Sequence, residues 1–194
     1  MTHLFSAKLR LYRGMMGNMM FFRRKARLRA KAERLYSQIV KRARDISLYS
    51  TYQVEDSVDG RFDALILHVA LVRRALASLG DEANEMISFL LETLVTDMDR
   101  SMREMGVGDL SVGKKVKTMM TAYKGREVAY DEALSGSDED LKASLVRNLY
   151  RGQAPDHTVL DGLAARVRQD AQLLMDSAET IMANAALSWS VNDE

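Results

Sequence analysis

The stretch Asp97–Asp109, D-M-D-R-S-M-R-E-M-G-V-G-D, decides how this chain folds, because one long helical pattern ends in it and another follows. Gly106 stands where the upstream pattern stops, and glycine takes the left-handed conformation that ends many helices at little cost. Val107 is then expected to fold back on Met102, as in a Schellman motif. The stretch therefore predicts a corner between two consecutive helices.

The charges of this stretch pair at helical spacing. Asp99 and Arg103 stand four residues apart and have opposite charge. The same holds for Arg100 and Glu104, and each such pair contributes a few tenths of a kcal/mol when exposed. Asp97 and Asp99 are two residues apart and point to different faces, which argues against a magnesium site. The charges indicate either a solvated helix end or a patch that faces a partner.

Length and composition predict a soluble, helical protein. The chain has 194 residues, 47% of them hydrophobic and 28% charged, with 13 methionines and a single proline. This length favours one domain with a real core. The absence of cysteine excludes disulfides, thiol catalysis and cysteine-based zinc sites. No apolar run approaches the ~18 residues that span a bilayer.

Apolar residues at spacings of three and four predict an all-α, single-domain bundle of about six helices with a basic N-terminal helical arm. The predicted helices cover residues 21–46, 61–79, 81–105, 112–134, 138–151 and 158–187. We expect the helix 81–105 to be central, residues 47–60 to form a loop, and residues 188–194 to fray after an anchor at Trp189. The domain division is then an N-terminal extension (1–20), a helical domain (21–187) and a tail (188–194).

Local motifs refine these boundaries. Ser137 with Asp140 resembles a capping box, and Asp109 or Ser111 is expected to cap the helix after the corner. The segment 108–114, G-D-L-S-V-G-K, has the spacing of a phosphate-binding loop but follows a helix instead of a strand, so we interpret it as an interhelical turn. Gly125 is expected to permit close helix packing.

The first 45 residues carry a net charge of +11 and the remainder −10, which give the overall +1. The acid-free residues 1–20 have three interpretations: a transit peptide, a short basic amphipathic extension, or residues upstream of a true start at Met19 or Met20. A basic cluster follows at Arg23, Arg24, Lys25, Arg27, Arg29, Lys31 and Arg34.

Basic charge near a helix N-terminus opposes the helix dipole, so this cluster favours an external partner such as a ribosome, RNA or an anionic membrane. The alternative is that the arm docks on the acidic body of its own chain. Phe21 and Phe22 suit either a membrane interface or the core. The apolar stripe of this helix is Leu28, Ala32, Leu35, Ile39, Ala43 and Ile46.

No catalytic constellation is found, so we expect no enzyme, no cofactor, no metal and no small-molecule substrate. The only histidines are His3, His68 and His157, and none belongs to a zinc or di-iron motif. His68 lies between apolar neighbours and is interpreted as structural.

Several ordered motifs resemble the ubiquinol–cytochrome c chaperone family. They are L-x-T-D-M-D-R-S-M-R-E-M-G-V-G-D, then K-K-V-K and G-R-x-x-A-Y-D-E-A-L, with D-G-R-F-D-x-L-I-L-H-V upstream and L-K-A-S-L-V-R-N-L-Y downstream. The resemblance covers residues 25–185 and indicates a bacterial-type member. It implies an all-helical assembly factor for cytochrome b, associated with the inner membrane. It also implies a link, known in fungi, to the ribosomal tunnel exit together with a small partner protein.

The expected function is therefore a non-enzymatic chaperone that binds nascent cytochrome b from the cytoplasm, peripheral to the inner membrane (from the mitochondrial matrix side if eukaryotic). The alternative is a helical adaptor for ribosome, RNA or anionic membrane that uses the basic arm. A polar partner-facing patch is predicted at Asp99, Arg100, Arg103, Glu104, Gly106, Gly108, Asp109, Lys114 and Lys115. An adaptable apolar groove or, alternatively, ordinary core packing is predicted for Met98, Met102, Met105, Met119 and Met120.

Overall fold

The computed structural model describes the backbone of residues 2–190 and the side chains of residues 19–190. Over this part of the chain there are eight helical segments and no strand, which confirms the all-α prediction. The segments are α1 (Thr2–Ala43), α2 (Ile46–Ser50), α3 (Val58–Leu76), α4 (Asp81–Glu104), α5 (Asp109–Ser135), α6 (Asp138–Asn148), α7 (His157–Asp176) and α8 (Ala178–Asn184).

The central helix is α3, and the prediction that helix 81–105 is central is wrong. Residues 66–72 of α3 are buried without interruption, and α3 packs against α1, α4, α5, α7 and α8. A helix that is apolar around its whole circumference has to be surrounded by protein. The segment Ala64–Val72 reads A-L-I-L-H-V-A-L-V, and this nearly continuous apolar composition suits a surrounded helix.

α1 packs along its predicted apolar stripe. Leu28, Leu35 and Ile39 are fully buried, as expected. Ile46 was predicted to continue this stripe, but its side chain is 78% exposed. The reason is that α1 ends at Ala43, and Asp45 begins α2 by accepting a hydrogen bond from the Ser47 amide.

The segment 47–60 is only partly a loop. The short helix α2 occupies its start, and α3 begins at Val58, three residues earlier than predicted. Ser57 caps α3 by accepting a hydrogen bond from the Gly60 amide. A Cβ on Gly60 would lie 2.0 Å from the Glu55 carbonyl oxygen, so only glycine fits this close approach.

The corner between α4 and α5 has the predicted Schellman geometry. Gly106 has a φ of +80°, and the Val107 amide donates to the Met102 carbonyl at 3.0 Å. The next helix begins earlier than predicted. Gly108 is its N-cap residue and no side chain caps it, so the predicted caps at Asp109 or Ser111 are wrong. Residues 109–114 form the first turns of α5, so they make neither a phosphate loop nor an interhelical turn.

The helices after α5 match the sequence predictions only in part. The Ser137–Asp140 capping box is confirmed at the start of α6. The predicted helix 158–187 is instead divided into α7 and α8 at Ser177, whose hydroxyl donates to the Leu173 carbonyl at 2.6 Å. Gly125 lies in α5, and a Cβ added there would have no heavy atom of a neighbouring helix within 4 Å, so the expected close helix packing is wrong.

The end of the described chain is held on the core by a buried ionic network. The Ser190 amide donates to Asp170 at 2.7 Å, and Asp170 also accepts from Arg42 at 2.8 Å. Arg42 lies against the Trp189 ring, at 5.5 Å from its centroid. The predicted anchor at Trp189 is thus confirmed and the predicted fraying is wrong for Ser190; residues 191–194 lie outside the described residues.

His68 has the structural role predicted for it. It is buried, its Nδ1 lies 2.7 Å from the Ala64 carbonyl oxygen, and its ring packs edge-on against Trp189. Burial in an apolar environment disfavours the charged imidazolium and lowers the pKa of His68 to about 4.

Candidate partner-binding groove

An apolar cavity of about 190 Å³ lies where α1, α3, α4 and α5 meet, beside the corner that follows α4. Three of its wall residues are methionines at the end of α4, namely Met98, Met102 and the C-cap residue Met105, and Met119 of α5 completes the wall. The other lining residues are Val40, Ala43, Arg44, Val58, Arg61, Phe62, Leu65, Asp97 and Ser101. The predicted methionine face therefore borders a real concavity.

An open depression of about 630 Å³ continues this cavity along α5. The two share four lining residues: Val58, Phe62, Met102 and Met119. The depression adds Asp59, Ser111, Lys114, Lys115, Thr118, Ala122, Arg126 and Arg151. We call the two together the methionine groove.

The methionines of the groove differ in exposure. Met98 is buried and belongs to the core, Met102 and Met119 are half-buried, and Met105 is 50% exposed. Methionine side chains are flexible and polarisable, so such a surface adapts to apolar partners of different shape. Met120, which was predicted for the groove, does not line it and packs against the core instead.

The charged side chains of the corner form a hydrogen-bonded network. Arg103 donates to Asp99 at 2.6 Å and also pairs with Asp109 across the turn. The hydrogen bond from Arg103 holds the pKa of Asp99 below its usual range. These side chains are exposed to solvent, so their ion pairs with one another add little to the stability of the fold.

Asp97 joins the corner to α1. It accepts a hydrogen bond from the Tyr36 hydroxyl at 2.8 Å and pairs with Arg100 at 2.5 Å. Burial, together with the Asp97 carboxylate, raises the pKa of Tyr36. Arg100 also lies 3.9 Å from Glu104, as its spacing predicted. The different orientations predicted for Asp97 and Asp99 are confirmed, since they have different partners.

The rim of the groove carries cations without a counter-charge. Within residues 19–190, Arg44, Lys114 and Lys115 form no ion pair. The three other cations of the groove are paired. Arg126 lies 2.9 Å from Asp63, Arg151 contacts the same carboxylate at 2.8 Å, and Arg61 pairs with Asp56 at 2.6 Å. The remaining charge of the groove is therefore positive.

Part of the basic arm docks on the acidic face of α4. Arg24 and Lys25 both pair with Glu85, and Arg29 pairs with Glu92 at 2.8 Å. Lys31 donates to the Met182 carbonyl of α8 at 2.6 Å. The alternative that the arm binds its own body is thus correct for these four cations.

The rest of the arm faces outward. Among the side chains that the structure describes, Arg23, Arg27 and Arg34 form no ion pair. Phe21 and Phe22 are 46% and 65% exposed, so their assignment to the core is wrong. Met19 and Met20 are exposed beside them, so a small apolar cluster precedes the three unpaired cations on the same helix. We call these seven residues the outer arm.

The described residues contain no candidate metal centre. No group of three or more His, Cys, Asp or Glu side chains among them could hold a metal ion. His157 begins α7 at the surface, far in sequence from the buried His68. None of the helices, as far as the structure describes them, is both long and apolar enough to cross a bilayer.

Sequence reasoning missed, among other lining residues, those at the ends of two helices. Val58 and Arg61 stand at the start of α3, and Arg44 at the end of α1. No local pattern brings these ends together, because their proximity depends on how α1 and α3 cross.

Comparison with known proteins identifies the family of this chain. A family model described as Ubiquinol-cytochrome C chaperone matches residues 50–189. The "Ubiquinol-cytochrome-c reductase complex assembly factor 1" of Xenopus laevis is 23% identical over 150 residues, which covers 77% of this chain and 75% of the relative. The human protein of that name is 23% identical over 166 residues, and this chain spans only 56% of its length.

A solved structure agrees with these sequence matches. The crystal structure of the Cbp3 homolog from Brucella abortus superposes with a TM-score of 0.78 and 29% sequence identity. The superposition covers 91% of this chain and 98% of the Brucella chain. Because the family model matches most of the chain, and the fold of the Brucella protein agrees over 91% of it, the chain belongs to the ubiquinol–cytochrome c chaperone family.

Proposed function

We propose that this chain is a non-enzymatic chaperone that binds newly made cytochrome b during assembly of ubiquinol–cytochrome c reductase. The named relatives are assembly factors of that complex. A chaperone of a nascent membrane protein needs no catalytic group. It needs a surface that holds an apolar segment reversibly until assembly.

The methionine groove is the observation that carries this proposal. Its floor is apolar and partly exposed, with Met102, Met105 and Met119 accessible beside Phe62. Burying apolar side chains there would contribute roughly 25 cal/mol per Å² removed from water. A groove of this kind binds by packing, and flexible methionines let one site accept different apolar sequences.

The corner network would fix the shape of this groove. Arg103 ties Asp99 on α4 to Asp109 on α5, and Gly106 and Gly108 shape the turn between them. Met102 and Met105 stand at the end of α4, directly before this turn. We therefore assign the polar patch a scaffold role for the groove, with Lys114 and Lys115 as partner-facing cations.

The test uses charged substitutions in the groove. Met102→Lys together with Met119→Lys places two cations on the apolar floor, and cytochrome b and the assembled reductase are then measured in cells that carry this variant. Met175→Lys is the matched control, since Met175 is 48% exposed on α7 and does not line the groove.

We expect the groove variant to lower cytochrome b and reductase levels while the control leaves them unchanged. Circular dichroism of both purified variants verifies that they fold. A folded groove variant with normal levels of cytochrome b would rule the proposal out.

A second candidate function rests on the outer arm. Met19, Met20, Phe21 and Phe22 are exposed on the same helix as the unpaired Arg23, Arg27 and Arg34. Apolar residues accompanied by cations are typical of helices that lie on anionic membranes. We propose that this surface holds the chaperone at an anionic membrane, peripheral to it. Binding to ribosomes or RNA is the competing use of the same charges.

Sedimentation distinguishes these uses. The intact chain is mixed with neutral liposomes, anionic liposomes or ribosomes, and compared with a variant in which Arg23, Arg27 and Arg34 are glutamine. The control variant carries Lys117→Gln and Lys124→Gln, two exposed α5 cations outside the arm. Membrane use predicts that only the arm variant loses binding to anionic liposomes; equal binding by both variants would contradict it.

A further inference from the structure

The unpaired cations of the methionine groove lie in its two different halves. Arg44 lines the apolar cavity, directly after the end of α1. Lys114 and Lys115 line the open depression on the first turns of α5. The four shared residues, Val58, Phe62, Met102 and Met119, lie between these halves and are apolar. A bound segment that runs along the groove would therefore contact a positively charged region at each end and an apolar region between them.

The acidic residues on the lining do not cancel this charge. Asp97 is occupied by Tyr36 and Arg100, at 2.8 Å and 2.5 Å. Asp59 pairs with Arg151 at 2.7 Å. Each of these carboxylates has its own cation, so neither neutralises the three unpaired ones.

From this arrangement we infer that the groove prefers an apolar segment with acidic residues on both sides of its apolar centre. The inference rests on the proposed function of the groove and adds the chemistry of the segment that it selects. The apolar centre would pack on the four shared residues. The flanking carboxylates would pair with Arg44 in one half and with Lys114 and Lys115 in the other.

The magnitude follows from the exposure of these cations. All three are solvent-exposed, and an exposed ion pair changes affinity by about twofold. Three such pairs give about a tenfold preference for acidic over neutral flanks. Because exposed charges are screened, the preference should shrink in high salt while the apolar contribution remains.

The probes are three synthetic peptides with one leucine- and alanine-rich centre, flanked on both sides by glutamate, by glutamine or by lysine. Each carries a fluorophore, and anisotropy gives its affinity for the full chain. The glutamate peptide should bind about tenfold more tightly than the glutamine peptide, with the lysine peptide weakest.

A matched pair of variants identifies the cations responsible. Combining Arg44→Gln, Lys114→Gln and Lys115→Gln should bring the affinities for the glutamate and glutamine peptides to the same value. Lys117→Gln with Lys124→Gln removes charge from exposed positions outside the groove and should keep the preference.

The outcomes separate this inference from the proposed function. If Met102→Lys weakens every peptide but the glutamate and glutamine peptides bind the native chain equally, the groove function stands and the acidic preference is overturned. The same conclusion follows if the control variant loses the preference as fully as the groove variant. If no peptide binds, or if Met102→Lys weakens none of them, the proposed groove function itself fails.

Discussion

Substituting Asp63 with asparagine tests how much the buried ion pairs behind the groove contribute to the stability of the fold. Asp63 lies on α3 with no exposed side-chain surface, and it contacts Arg126 of α5 and Arg151 at 2.9 and 2.8 Å. These two arginines also line the depression of the groove. The substitution keeps the shape of the side chain but removes its charge, so both guanidinium groups lose a counter-ion.

The expected cost depends on where the two arginines can go. Arg126 is only 18% exposed, so it stays in a partly buried site without a counter-charge. Arg151 is 40% exposed and retains Asp59 at 2.7 Å. Removing one partner of a buried pair costs about 3–5 kcal/mol, and the partial exposure of Arg126 places this case near about 3 kcal/mol.

Urea denaturation followed by far-UV circular dichroism measures this cost. Arg151→Gln is the comparison variant and should lose only about 1 kcal/mol, because Asp63 keeps Arg126. Combining Asp63→Asn with Arg126→Met should restore part of the lost stability, since no buried charge then lacks a partner. A loss below about 1 kcal/mol for Asp63→Asn, with an unchanged denaturant slope, would refute this account.

Two further predictions concern stability. Gly60→Ala should destabilise the fold by about 2 kcal/mol or more in thermal melts, because the added Cβ would lie 2.0 Å from the Glu55 carbonyl oxygen. Gly125→Ala should stabilise the fold by up to ~1 kcal/mol, because its added Cβ would have no neighbouring atom within 4 Å. Equal effects of the two substitutions on stability would contradict this prediction. The pKa of His68 is about 4 in the folded protein and 6.5 in the unfolded chain. Between these pH values the unfolded state binds more protons, so the free energy of unfolding should fall by about 2 kcal/mol from pH 7 to pH 5. His68→Gln should remove this slope in urea titrations and His157→Gln should keep it; a slope that survives in both variants would assign it to other groups.

Features that depend on neighbours in sequence could be predicted. The Schellman turn at Gly106 and the capping box at Ser137 are complete within a few residues, so the local pattern specifies them. The buried stripe of α1 also follows from spacing alone as far as Ala43. Such features need no knowledge of how the helices cross.

Features that depend on distant contacts could not be predicted. The central place of α3 was missed, although its continuous apolar run is visible in the sequence, because centrality depends on how many other helices pack around it. The Arg42–Asp170 pair joins residues 128 positions apart, and no spacing rule connects them.

The candidate groove was predicted in its residue type but not in its boundaries. The methionines at spacings of three and four on α4 marked one wall, and Met119 marked the other. Met120 follows Met119 directly and therefore points elsewhere, which helical geometry dictates. Arg44 and Val58 come from other helices and complete the site only in three dimensions.

Site-specific crosslinking tests the central claim most directly. A photoreactive amino acid replaces Met105 or Met119 in the groove, or Gln172 on the exposed surface of α7 as a control, in cells that are making cytochrome b. The account predicts crosslinks to newly made cytochrome b from both groove positions and none from position 172. Crosslinks that are absent from the groove, or equally strong from position 172, would contradict it.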